Sequence, residues 1–223
     1  MTTILDAGVR HDLAAAHAET VSDLGRPGDH LTADEKVALA RVVRAARAEV
    51  DQPPWYRPSA ERTDFSELPA AAVDAAWRLT NHPGTLTADW YAAIVEQLPS
   101  PAYYVELVGL VAAVNSIDRL AAILDVDVIP LPEPEAGDPS GALVDSSVTS
   151  HWVPTDPDAV GANVLKALSS VPGAAAFRAR LIEAQYLPVG ALLGDLDWTR
   201  GTLDRRQIEL VAAMTSLHNE CFY

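Results

Sequence analysis

The sequence predicts an all-α protein on two observations. Alanine, leucine and valine recur at spacings of three and four along the 223 residues, and alternating β-branched runs are nearly absent. Proline and glycine then divide the periodic pattern into segments. Thr32 and Glu35 stand at capping-box spacing and open a helix expected to reach about residue 49, with Val37, Ala40, Val43 and Ala46 on its apolar face. Pro53 and Pro54 stop it. A second, alanine-rich helix over 68–80 runs into His82-Pro83-Gly84, and a third covers 87–97. Ser100 is an N-cap with Pro101 at the first helical position. The helix it opens passes through Val105, Val108, Val111, Ile117 and Leu120 to about Leu124, and its charge-poor middle marks it as a core helix.

From 125 to 156 the periodicity is lost, with prolines at 130, 132, 134, 139 and 154 and glycines at 137 and 141. Such a stretch reads as a long linker over the surface. Helices resume beyond Pro157 and are expected over 161–170, 173–184, 189–196 and 203–218. The expected organisation is an N-terminal helical half (1–124), the linker (125–156) and a C-terminal helical half (157–223).

The halves carry traces of one another. Val105-Glu106-Leu107-Val108 recurs as Ile208-Glu209-Leu210-Val211, offset by 103 residues, and Leu79-x-x-x-Pro83-Gly84 recurs as Leu168-x-x-x-Pro172-Gly173, offset by 89. An internal duplication explains both, and generic helices with similar apolar faces are the competing explanation. Aligned this way, Cys221 falls opposite Asp118, so the N-terminal half lacks a reactive thiol.

A net charge of −15, from 31 acidic and 16 basic residues, argues against nucleic acid and anionic membrane surfaces as partners. Cys221 is the one cysteine, so no intrachain disulfide can form and a secreted disulfide scaffold is excluded. No run approaches the ~18 apolar residues of a membrane span, and the N-terminus lacks the pattern of a secretory signal. A cytoplasmic location is expected. No phosphate-binding glycine loop or dinucleotide fingerprint is present, so no cofactor is expected. His218 and Cys221 have a zinc-like spacing, yet two ligands fall short of the usual four.

Glu209 lies twelve residues before Cys221 in Leu203–Tyr223, and Asn219 precedes the cysteine by two. This stretch resembles the core helix of the alkylhydroperoxidase D-like and carboxymuconolactone decarboxylase-like superfamily. Its pattern is a glutamate, a Cys-x-x-Cys pair starting twelve residues on, and a histidine four residues after the second cysteine. Asn115, Ile117, Asp118 and Arg119, the Pro130-Leu131-Pro132-Glu133-Pro134 run, Pro139-Ser140 and Gln185-Tyr186-Leu187-Pro188 extend the resemblance to the actinobacterial alkylhydroperoxidase-related subfamily. It spans roughly 60–223, and the last twenty residues carry its mechanistic content.

The chain stops after Cys221-Phe222-Tyr223, at the place of the family's second, peroxide-attacking thiol. In this superfamily that place is sometimes taken by selenocysteine, whose codon is read as a stop by ordinary translation rules. A partial gene and a degenerate protein are the alternatives. On one straight helix, twelve residues would separate Glu209 and Cys221 by about 18 Å, so the relay requires the chain to turn back near His218-Asn219.

The resemblance implies a thiol- or selenol-dependent peroxidase acting on an organic hydroperoxide, with Cys221 and Glu209 as catalytic residues. Glu209 would orient a histidine that deprotonates the nucleophile, and Cys221 would be the resolving thiol. It also implies a dithiol reductant of the dihydrolipoamide or thioredoxin kind and a homo-oligomer. As it stands the chain is expected to be inactive. The alternatives are a non-redox enzyme of the decarboxylase or isomerase branch, which needs no cysteine pair, and a helical interaction subunit without turnover.

Overall fold

The computed structural model describes residues 4–5, 7–49, 52–53, 65–149, 151–160, 163–192, 194 and 197–218, and they are mostly helical. α1 (His11–Ser22) leads through a 3-10 turn (Asp23–Gly25) to α2 (Ala33–Arg47), and α3 (Ala70–Asn81) is followed by a second 3-10 turn (Pro83–Thr85) and α4 (Ala88–Val95). α5 (Pro101–Ile123) is the long central helix. Beyond the proline-rich stretch come α6 (Asn163–Lys166), α7 (Pro172–Gln185), α8 (Val189–Leu192), a hairpin of β1 (Thr199–Arg200) and β2 (Leu203–Asp204), and α9 (Arg205–His218). Among the described residues, no helix is long and apolar enough to cross a membrane.

Side-chain caps set several helix starts. Thr32 Oγ1 accepts from Glu35 N at 3.2 Å while Thr32 N donates to the Glu35 carboxylate at 2.9 Å, which completes the expected capping box. Thr87 and Ser100 do the same work on Trp90 N and Tyr103 N, at 3.2 and 3.1 Å. α5 ends in a Schellman turn without glycine. Asp125 takes the left-handed conformation (φ 54°), and Val126 N reaches back to Ala121 O at 3.0 Å.

α5 is apolar on nearly all sides and therefore sits at the centre, packed on α2, α3 and α7. Leu39, Val43, Ala72, Ala76, Leu107 and Leu110 are buried in the main core. α7 approaches α5 closely at Gly109, where a Cβ would stand 3.1 Å from that of Ala174. Asp118, buried on α5, receives a two-pronged ion pair from Arg44 of α2 at 2.8 and 3.2 Å, and the same guanidinium donates to Ile129 O at 2.7 Å.

The stretch from 125 to 156 contains no helix among its described residues and is pinned to the loop between α1 and α2. Glu135 N, Ser140 N and Gly141 N donate to the carbonyls of Gly25, Gly28 and Asp29 at 2.7, 3.0 and 2.7 Å. The Asp29 carboxylate accepts from Ser140 Oγ and from Gly173 N, both at 2.6 Å, the latter in the first turn of α7.

Several sequence expectations need correction. Of the helix expected over 161–170, the described residues form a helix at Asn163–Lys166 and turns over 167–170, ahead of Val171, which precedes a proline and is held extended. Of the one expected over 189–196, the described residues form a helix at Val189–Leu192, and 193, 195 and 196 lie outside them. Residues 203–204 form a strand rather than the start of α9, since Asp204 pairs across the hairpin with Thr199. α1 was not anticipated: Arg10 at its N-cap provides no side-chain hydrogen bond, and alanines fill much of its length. The two Pro-Gly anchors do different jobs, Pro83 opening a 3-10 turn and Pro172 a fourteen-residue helix.

Candidate functional site

Glu209 is placed by the hairpin and the start of α9. Asp204 N donates to Gln207 Oε1 at 2.9 Å and Asp204 Oδ1 accepts from Gln207 N at 3.0 Å, a reciprocal cap that fixes the first turn. The bond from Gln207 N, followed by the Arg206 guanidinium, holds the Asp204 carboxyl below its ordinary range. One turn into the helix, Glu209 is half-exposed and both of its oxygens are engaged. Tyr186 Oη donates to Oε2 at 2.6 Å, and Arg205 Nε, one helical turn back, donates to Oε1 at 2.6 Å.

Tyr186 follows the last residue of α7, and arginines hold the local backbone. Arg200 on β1 donates to the carbonyls of Tyr186 and Glu183 at 3.0 and 2.7 Å, while Arg10 donates to Ala184 O at 2.5 Å. These cations neutralise the open carbonyl end of the helix. Arg205 is anchored in turn by Ala191 O at 2.7 Å. The C-terminal end of α7 and the first turn of α9 thus meet at a single carboxylate.

The electrostatics follow from the contacts. The Tyr186 hydroxyl, followed by the Arg205 guanidinium, keeps the Glu209 carboxyl below its usual range. Burial and the adjacent carboxylate push the Tyr186 phenol up to about 12. At neutral pH the pair is therefore an ionised carboxylate accepting from a protonated phenol. Asp197, Asp204, Arg205, Arg206 and Glu209 line an open basin of about 710 Å³ beside it.

Of the two residues singled out from sequence, Glu209 lies in this site and Cys221 lies outside the described residues. His218, the last residue of α9, is nine positions beyond Glu209, or about 13 Å along the helix axis. Two site residues were missed as participants. Tyr186 belongs to the Gln-Tyr-Leu-Pro run, but a helix-terminal tyrosine 23 positions before its partner gives no periodic signal. Arg205 stands four residues before Glu209, and that spacing was a legible sign of an ion pair. Among the described residues, no group of three or more histidine, cysteine, aspartate or glutamate side chains could hold a metal ion.

Comparison of the chain with protein-family models, curated proteins and solved structures finds no match.

Proposed function

We propose that the protein is a thiol- or selenol-dependent peroxidase in which Cys221 is the resolving thiol of a Cys-x-x-Cys or Cys-x-x-selenocysteine pair and Glu209 belongs to the proton relay. The observation that carries this reading is the state of Glu209. It is an ionised carboxylate, fixed by Tyr186 and Arg205, on the helix that leads to Cys221. A fixed carboxylate can orient an imidazole and favour its protonated form. The relay would be served by a carboxylate positioned from two sides rather than by a mobile surface glutamate.

In the reaction, the attacking thiolate or selenolate takes the terminal oxygen of the hydroperoxide. The O–O bond breaks, the alkoxide leaves as an alcohol after gaining a proton, and a sulfenic or selenenic acid forms. Cys221 then displaces water and closes a disulfide or selenenylsulfide, which a dithiol donor reduces. The same proposal takes the halves before and after the proline-rich stretch as diverged copies, joined by that stretch as a linker. It also takes the enzyme to be a cytoplasmic homo-oligomer.

The test is to read the gene beyond the Tyr223 codon, produce the chain with the residues found there, and follow dihydrolipoamide oxidation with cumene hydroperoxide. Peroxide-dependent oxidation that Cys221→Ser abolishes is the expected result. A Glu209→Gln variant should retain the fold and shift the pH profile of turnover. Absence of turnover, or turnover indifferent to Cys221→Ser, overturns the proposal. The Glu209–Tyr186 contact also favours a second reading, acid–base chemistry of the decarboxylase or isomerase branch, which predicts that Cys221→Ser leaves activity intact while Tyr186→Phe lowers it.

A further inference from the structure

A cavity of about 370 Å³ lies between α3, α4 and α5 on one side and the segments before α6 and α7 on the other. Three aromatic side chains dominate its wall. Tyr91 meets Tyr104 edge to face at 5.1 Å between ring centroids, and Tyr91 also stacks against Trp152 at 6.2 Å with the rings 29° apart. Val105, Val108 and Leu168 supply aliphatic surface. Among the described residues, no aspartate, glutamate, lysine or arginine lines it, and His151 is its one polar side chain besides the tyrosines and Trp152.

The hydroxyls on this wall are its unusual feature. Tyr104 is 5% exposed, and among the described residues neither its hydroxyl nor that of Tyr91 has a hydrogen-bond partner. Neither hydroxyl is sealed from solvent, so an acceptor on a ligand in the cavity would take the place of water on each. Burial holds both phenols above their ordinary range, so each keeps its proton and can act as a donor. A site with phenol donors and no carboxylate, ammonium or guanidinium among its described lining residues selects a neutral acceptor, and flat aromatic walls select a planar ring.

We propose that this cavity binds a neutral, planar aromatic carbonyl compound, its ring against Tyr91 and Trp152 and its carbonyl oxygen accepting from the hydroxyls of Tyr104 and Tyr91. The volume suits a fused bicyclic ring. No residue of α9 lines the cavity, so the inference is independent of Glu209.

The experiment is ligand-observed NMR and calorimetry on the purified chain with 1-indanone, and with indane as the same ring system lacking the carbonyl. One-to-one binding is expected, with the ketone preferred by about tenfold, the worth of a strong neutral hydrogen bond. Tyr104→Phe should remove most of that preference while leaving indane binding within about twofold. Tyr91→Phe is the second variant, to be used should circular dichroism find Tyr104→Phe unfolded. Three results would overturn the inference: no saturable binding of 1-indanone, equal affinities for ketone and hydrocarbon, or a preference that persists in every folded tyrosine variant.

Discussion

α5 and α9 carry nearly the same four-residue run within their first two turns, yet they occupy opposite environments. Glu106 and Leu107 on α5 are 2% and 0% exposed, whereas Leu210 on α9 is 62% exposed and Glu209 is half-exposed. The cause lies outside the run: α5 is packed by α2, α3 and α7, while Ile208 is the one buried residue of α9 among those described. An apolar stretch around a glutamate therefore does not establish that the glutamate is buried. Neighbouring elements decide it.

The two carboxylates are satisfied in different ways. Glu106 accepts from the backbone N–H groups of Asp29 and His30 at 3.3 and 2.5 Å. Lys36, itself buried, lies near enough to favour its charge and is held by Asp23 O and Arg26 O at 2.8 and 2.9 Å. Glu209 instead relies on two side chains at the surface. One glutamate anchors a loop to the core, and the other is a fixed charge facing a basin.

The largest expected break is Glu106→Ala. It strands two backbone donors and removes the counter-charge of a buried lysine, and should cost about 3–5 kcal/mol in urea unfolding. Glu209→Ala should cost under about 1 kcal/mol, because its contacts are solvent-screened. A similar contrast applies to the leucines, where Leu107→Ala should lower stability by about 2–5 kcal/mol and Leu210→Ala by no more than about 0.5 kcal/mol. Equal losses within either pair would show that α9 is covered in solution.

Gly28→Ala is a finer probe of the α5 side. A Cβ there would overlap Glu106 Oε1, so the loop or the carboxylate must move, at a cost of about 1–3 kcal/mol. The smallest effect is in pH dependence, and the two glutamates have opposite signs. Burial raises Glu106, so the folded state keeps its proton to higher pH than the unfolded chain and stability falls as pH rises through that interval. Glu209 is lowered, so the unfolded chain binds the proton first and stability falls as pH drops through the interval beneath its ordinary value. Unfolding midpoints across the acid range should flatten at the upper end in Glu106→Gln and, more weakly, at the lower end in Glu209→Gln.

Much of the fold was legible because its determinants are local. The capping box at Thr32, the Ser100-Pro101 start of α5 and the proline-bounded stretch after it each follow from chemistry within a few residues. Glu209 was legible as a candidate for its spacing to Cys221, and Arg205 for its spacing to Glu209. The Tyr186 contact was not, because a hydrogen bond across the α7–α9 connection leaves no periodic trace. Nor was the anchoring of the stretch after α5, whose backbone groups bond to a loop more than a hundred residues earlier.

The sequence by itself determined the helical class, the capped starts of α2 and α5 and the apolar helix that becomes the centre, since propensity, capping and periodicity act over one or two turns. The tertiary structure alone decided which of two similar Glu-Leu-Val runs would be buried, which donors each carboxylate would find, and that Tyr91, Tyr104 and Trp152 would enclose one cavity. Burial and long-range hydrogen bonding depend on elements brought together by packing, and no local pattern encodes that.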